Sequence, residues 1–182
     1  ASYGHSCYPH SVELSSARIT MHEDSSCTLS VGCCELGQGS NTAMAQIASE
    51  AMGVPFHMIE VNEGDTDIAT FDVGAYASRQ TYVAGTAVKK AGLKIKAIVL
   101  DRASEMLHRD ADRLDTYNGY VVDAETLEQL IPIADVAYDC YYNRGKFADA
   151  CMMIEANASH CPTTRGLTYV CGFAEVEVDM ET

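Results

Sequence analysis

The sequence predicts an α+β fold, a mixed or antiparallel sheet packed against a few helices, one of them long. Three observations predict it. Short alternating runs stand at both ends of the chain, at Ala17–Cys34 and at Leu167–Met180. A stretch from Ser78 to His108 keeps helical spacing with no proline. Between them, Glu35-Leu36-Gly37-Gln38-Gly39 breaks a strand and opens a second helix.

Taken in order, residues 17–34 read as a hairpin with Glu23-Asp24-Ser25-Ser26 as its turn. After the Gly37-Gln38-Gly39 break, Ser40 or Asn41 is the expected helix cap. Met44, Ile47, Ala48 and Ala51 supply the apolar face, and Gly53 and Pro55 end the helix. Phe56–Val61 is an expected strand, and Asn62–Asp67 a loop in which Asp65 and Asp67 make Asx turns. The helix over Ser78–His108 is long or broken. It contains Gly85 and Gly92, each costing roughly 1 kcal/mol unless close packing needs the missing side chain.

Tyr117–Val122 is strand-like around Asn118-Gly119, a strong hairpin signal. Asp123 is expected to cap a short helix over Ala124–Leu130. Asp135–Arg165 is poorly patterned, loop with a strand or two. In the last run Ala174, Val176 and Val178 alternate with Glu175, Glu177 and Asp179. That pattern still runs at Thr182, so residues 1–182 are expected to be a single α+β domain, part of a larger region truncated at both ends.

The composition, 47% hydrophobic and 21% charged, is that of a globular protein. No apolar run approaches the roughly 20 residues of a membrane helix, so no membrane partner is expected. A formal charge of −14 argues against nucleic acid, whose phosphates demand basic patches. A polyanionic ligand would then be held by backbone N–H groups and a few local bases. Eight cysteines show no C-x₂-C pair, and vicinal Cys33-Cys34 on a strand point to opposite faces. His5, Cys7 and His10 lie close together, and Cys161 follows His160. Buried, reduced cysteines in a cytoplasmic protein are nonetheless the expected state, with no metal ligand assigned.

The chemistry centres on the strand, the Gly37-Gln38-Gly39 loop and the helix behind it. Two glycines admit close backbone approach, and the helix start offers N–H groups and a positive dipole end. Gln38 adds a neutral amide that donates and accepts. Glu35 would be repelled by a bound polyanion and is expected to point away or to cap. Spacing alone makes this an ordinary strand-to-helix turn as readily as an anion site.

Its company is more specific. Glu35-Leu-Gly-Gln-Gly-Ser-Asn-Thr42, Gln46-Ile-Ala-Ser-Glu50, Gly64-Asp-Thr-Asp67, Ala75-Tyr-Ala-Ser-Arg-Gln-Thr81 and Gly85-Thr-Ala-Val88 occur in this order. Together they resemble the xanthine dehydrogenase and aldehyde oxidase family, in the second half of its molybdenum-binding part. The run Phe173–Thr182 is similar to a closing strand of that family, and residues 100–165 resemble it least.

The resemblance implies a molybdopterin with molybdenum, in bacteria commonly its cytosine dinucleotide form. It implies that Gly37, Gln38 and Gly39 contact the phosphate and pterin portion. Ala77, Ser78 and Arg79, with Tyr76 and Gln80, would form a second loop near the metal. Arg79 is expected to meet a pyrophosphate bidentately, or else to sit solvated in a first helical turn.

The family's glutamate base and apical glycine loop have no match here, so no catalytic residue is assigned. Iron–sulfur clusters and FAD would lie on partner domains or subunits. The implied parent is a bacterial enzyme that oxidatively hydroxylates a small molecule, an N-heterocycle such as a purine or nicotinate by preference. An aldehyde or aromatic thioester substrate, or a non-catalytic structural fragment, is the alternative.

Overall fold

A computed structural model describes residues 2–6, 13–62, 64–142, 152–164, 166–170 and 172–179, with backbone alone for 2–6 and 166–170. The expected α+β architecture is found. Among the described residues nine strands form three sheets, accompanied by three α-helices.

The central sheet has four strands in the order β4-β3-β2-β8. Strands β2 (Ser15–Met21) and β3 (Cys27–Val31) form the expected antiparallel hairpin, turned at Asp24, whose carboxylate accepts the Ser26 N–H at 2.9 Å. Strand β8 (Ile154–His160) pairs antiparallel with β2, and β4 (Ile59–Asn62) pairs parallel with β3. Alternate residues Ala17, Ile19 and Met21, with Leu29 and Ile154, bury on one face.

Helices α1 (Ser40–Met52) and α2 (Gln80–Leu107) cover that face, α2 running unbroken for 28 residues. Its two glycines are contact points. A Cβ on Gly92 would stand 2.8 Å from the Ala51 Cβ, and one on Gly85 would stand 2.7 Å from Ile47 Cδ1. The backbones of α1 and α2 therefore approach more closely than alanine permits. Gly53 ends α1 in the left-handed region at φ 71°, as expected.

A second sheet, β5-β6-β7, packs against α2 through β5. Strands β5 (Leu114–Tyr117) and β6 (Tyr120–Asp123) join through Asn118 and Gly119, at φ 46° and 85°, a two-residue turn with both φ positive. A last pair, β1 (Ser2–Ser6) with β9 (Gly166–Val170), stands apart as a two-stranded antiparallel sheet. Among the described residues no helix is long and apolar enough to cross a membrane.

Several expectations are corrected. Phe56–Met58 is a 3₁₀ turn, and only Ile59–Asn62 is strand, because Pro55 sets the turn before pairing with β3 begins. The helix expected over Ala124–Leu130 is a turn followed by β7 (Gln129–Pro132). Asp123 accepts the N–H groups of Glu125 and Thr126, both at 3.1 Å, and pairing to β6 takes the rest.

Asp135–Tyr142, within the stretch expected as loop with a strand or two, belong to α3 (Ile133–Tyr142). Its buried Ile133, Val136, Ala137 and Cys140 have helical spacing that the surrounding tyrosines obscured. An ion pair between buried Arg102 and Asp139 ties α3 to α2. The closing strand is confined to β9, and residues 172–179 are exposed without regular structure. The expected strand positions Met180–Thr182 lie outside the described residues.

Candidate cofactor-binding site

The first loop follows β3. Gly37 and Gly39 take left-handed backbones at φ 93° and 77°, conformations glycine adopts with little penalty. A Cβ at either would meet nothing within 4 Å, so both glycine faces are open. Neither Ser40 nor Asn41 caps α1 with its side chain; the N-cap position is Gly39.

The cap is Glu35. One carboxylate oxygen accepts the N–H groups of Gly37 and Gly39, each at 2.8 Å. The other accepts the Asn41 N–H at 3.1 Å and the Ser40 hydroxyl at 3.2 Å. A carboxylate here meets the positive end of the helix dipole. The Gly39 N–H, followed by that of Asn41, holds the Glu35 carboxyl below its ordinary range. Of the two roles expected for Glu35, the structure shows capping.

The second loop reaches the same place from β4. Asp65 accepts the Asp67 N–H at 2.9 Å, the expected Asx turn. The chain then crosses the end of the central sheet. Thr70 Oγ1 donates to the Ser16 carbonyl at 2.6 Å, and Asp72 bridges to Ser15. Gly32 permits the crossing, since a Cβ there would fall 2.1 Å from the Thr70 carbonyl oxygen. Ala77 and Ser78 follow at φ 47° and 53°. Each non-glycine residue in that region costs about 1–2 kcal/mol.

Arg79 stabilises this turn from within. Its side chain is fully buried, and its Nε donates to Glu13. Nη1 donates to Asp72 at 2.7 Å and to the Gly74 carbonyl at 2.8 Å. Nη2 donates to the Leu14 carbonyl at 3.1 Å and to Ser15 Oγ at 2.7 Å. A guanidinium has five N–H donors, and all five are used. The solvated position and the bidentate pyrophosphate contact expected for Arg79 both fail against this geometry. The Arg79 carbon Cζ also lies 5.6 Å from the Tyr76 ring centroid, within cation–π range. Burial, then the Glu13 carboxylate and a hydrogen bond to it, push the Tyr76 phenol up from its ordinary value.

The two loops meet through a pair of amides. Gln38 Nε2 donates to Gln80 Oε1 at 2.6 Å, and both Nε2 groups donate to the Cys34 carbonyl, at 3.0 and 3.1 Å. The Leu36 N–H donates to Gln38 Oε1 at 2.5 Å. A cleft of about 370 Å³ lies here, lined by Leu36, Gln38, Tyr76, Ala77, Ser78 and Gln80 among others. Among the described residues, no acceptor is found for the N–H groups of Ala77, Ser78 or Gln80. The site offers a polyanion backbone donors at a helix start together with neutral amides. Among the described residues its lining holds no carboxylate, histidine or cysteine to move a proton or attack a substrate.

Sequence reasoning named both loops but missed Glu13, Ser15 and Asp72, which hold the second. They lie 7 to 66 residues from Arg79, and no local pattern links them. Cys33 is buried and Cys34 exposed, although both follow the end of β3 and so lie off the strand expected to hold them. Among the described residues no three His, Cys, Asp or Glu side chains cluster as a metal site. Cys7 and His10 lie outside the described residues.

Two loops and two helix starts meet at this cleft. The profile of the molybdopterin cofactor-binding domain family matches residues 1–182. The chain therefore belongs to that family. It is 34% identical over 181 residues to the putative xanthine dehydrogenase molybdenum-binding subunit of Escherichia coli, covering 98% of this chain and 24% of the relative.

The carbon monoxide dehydrogenase large chain of Hydrogenophaga pseudoflava is 34% identical over 128 residues, 70% of this chain and 16% of that one. Quinoline 2-oxidoreductase from Pseudomonas putida 86 shares the fold at a TM-score of 0.81 and 23% identity, over 91% of this chain and 22% of its own. The chain thus spans about a quarter of the length of the curated relative it matches over 98% of its own residues.

Proposed function

We propose that the chain supplies one wall of the cofactor site in a molybdenum hydroxylase, as part of a larger molybdenum-binding region. The observation that carries this reading is the convergence of both loops on one cleft through the Gln38–Gln80 amide pair. The residues present fit a molybdopterin. The glycine faces are open and the α2 start presents N–H donors, as a phosphate-bearing pterin requires.

Gly37, Gln38 and Gly39 would lie against the phosphate and pterin portion, with Tyr76, Ala77, Ser78 and Gln80 opposite them. Arg79 contributes through the loop it holds. When bound, the group supplies a metal centre able to insert a water-derived oxygen at an electron-poor C–H and to accept two electrons. The residues of this chain bind and orient; the proton-moving base belongs to another part of the parent. Iron–sulfur and FAD partners would take the electrons, in keeping with relatives named as a molybdenum-binding subunit and a large chain.

An N-heterocyclic substrate is favoured because the relative matching 98% of this chain is named for xanthine, whereas the carbon monoxide enzyme matches 70%. The cytosine dinucleotide form and a bacterial, cytoplasmic setting complete the reading. Gln38→Ala in the full-length parent is expected to weaken molybdenum retention about fivefold, the equivalent of one hydrogen bond of roughly 1 kcal/mol. The fold should persist. Metal content equal to that of the wild type would remove Gln38 from the site. Release of CMP on acid denaturation tests the dinucleotide form.

A further inference from the structure

The buried cluster beneath the second loop has a role that neither sequence pattern nor family membership assigns. Arg79 and Glu13 have fully buried side chains, and the Asp72 side chain is 1% exposed. Charges held this far from water need close pairing and complete hydrogen bonding. Here five acceptors drawn from two segments meet one guanidinium: Glu13, Leu14 and Ser15 before and at the start of β2, and Asp72 and Gly74 on the approach to the loop. Ser15 also donates to Asp72, closing the ring. Tyr76 is tied in from the loop itself, hydrogen-bonded to Glu13.

We propose that Glu13, Asp72 and Arg79 form a clamp that folds the Ala75–Ser78 loop before any ligand arrives, making Arg79 a positioning residue and not a ligand contact. The geometry requires such a device. Ala77 and Ser78 stand side by side in left-handed backbone and are exposed, so no packing of their own holds them there. The anchors lie immediately on either side, Gly74 through its carbonyl and Arg79 through its N–H to the Tyr76 carbonyl at 3.1 Å. The fork shape is essential, because a lysine offers one nitrogen to groups that surround a planar five-donor head. This inference rests on the proposed cofactor role of the cleft.

Three variants of the full-length subunit test it: Arg79→Lys, Glu13→Gln and Gln38→Ala. Hydrogen exchange of amides 75–80 is followed in cofactor-free protein. Molybdenum retention during dialysis and the molybdenum electron paramagnetic resonance line shape are followed in loaded protein. The clamp predicts that Arg79→Lys speeds loop exchange at least about tenfold without cofactor, leaves exchange in the α2 interior unchanged, weakens retention and alters the line shape. Glu13→Gln keeps the shape of the side chain and should give a smaller change in the same direction, which preserves the test if Arg79→Lys does not fold.

Loop exchange unchanged in both clamp variants would overturn the proposal. Faster exchange with wild-type retention and line shape, while Gln38→Ala loses metal, would also overturn it and leave the cofactor reading standing. Full retention in all three variants would overturn the cofactor reading itself.

Discussion

The two loops hold similar backbone turns by opposite means. Both contain left-handed backbone, and both line one cleft, the first through Leu36 and Gln38. The first does so with glycines and a carboxylate two to six residues away in sequence, on the surface. The second does so with alanine and serine, held by a buried arginine whose carboxylate partners lie 7 and 66 residues away. Glycine accepts a positive φ at little cost, so a local cap suffices for the first loop. Side chains at the same φ cost more, so the second needs tertiary support. The difference shows how the energetic demand of a backbone conformation dictates whether its support is local or distant.

The sharpest way to break the comparison is Arg79→Met. It would leave Glu13 and Asp72 buried without their cation, at a cost of about 3–5 kcal/mol. Urea unfolding should read this loss, and a change below about 1 kcal/mol would show that the cluster does not support the second loop as described. Next comes Gly92→Ala. The added methyl would press on the rigid Ala51 Cβ and should cost about 1–3 kcal/mol by forcing α1 and α2 apart. Because each helix begins at one of the loops, a crystal structure of this variant should show Gln38 and Gln80 separated. An intact 2.6 Å contact would show that the loops are fixed independently of helix packing.

The smallest effect is expected from Glu35→Gln, which removes the charge at the start of α1 while leaving an acceptor oxygen. The Glu35 carboxyl is held below its ordinary value, so its contribution is fully present above about pH 4.3 and lost as pH falls through the folded-state value. The stability difference between wild type and variant should therefore shrink on acidification. A difference that grows at low pH would mean that the carboxylate does not cap the helix.

Where the signal was local, the sequence predicted structure well. Asp24 in its turn, Asn118-Gly119, and Gly53 after α1 are each read from one to three residues. Both loops of the site were named from short motifs. The failures have a common cause. Ala124–Leu130 has adequate helix formers, yet pairing with β6 claims its end, and the expected final strand is found only over β9, where β1 supplies a partner. Tertiary pairing decided both. Arg79 failed for a related reason: its identity suggests an anion contact, but carboxylates far along the chain had already taken its donors.

The sequence by itself determined the α+β class, the two glycine positions where only a side-chain-free backbone turns cheaply, and the order of motifs that marks the family. Those are properties of neighbours along the chain. Only the tertiary structure decided that Glu35 caps the first loop, that Gln38 meets Gln80, and that Arg79 faces inward. Those outcomes depend on which donors and acceptors the packed sheet and helices bring within reach, and distance in space cannot be read from spacing in sequence.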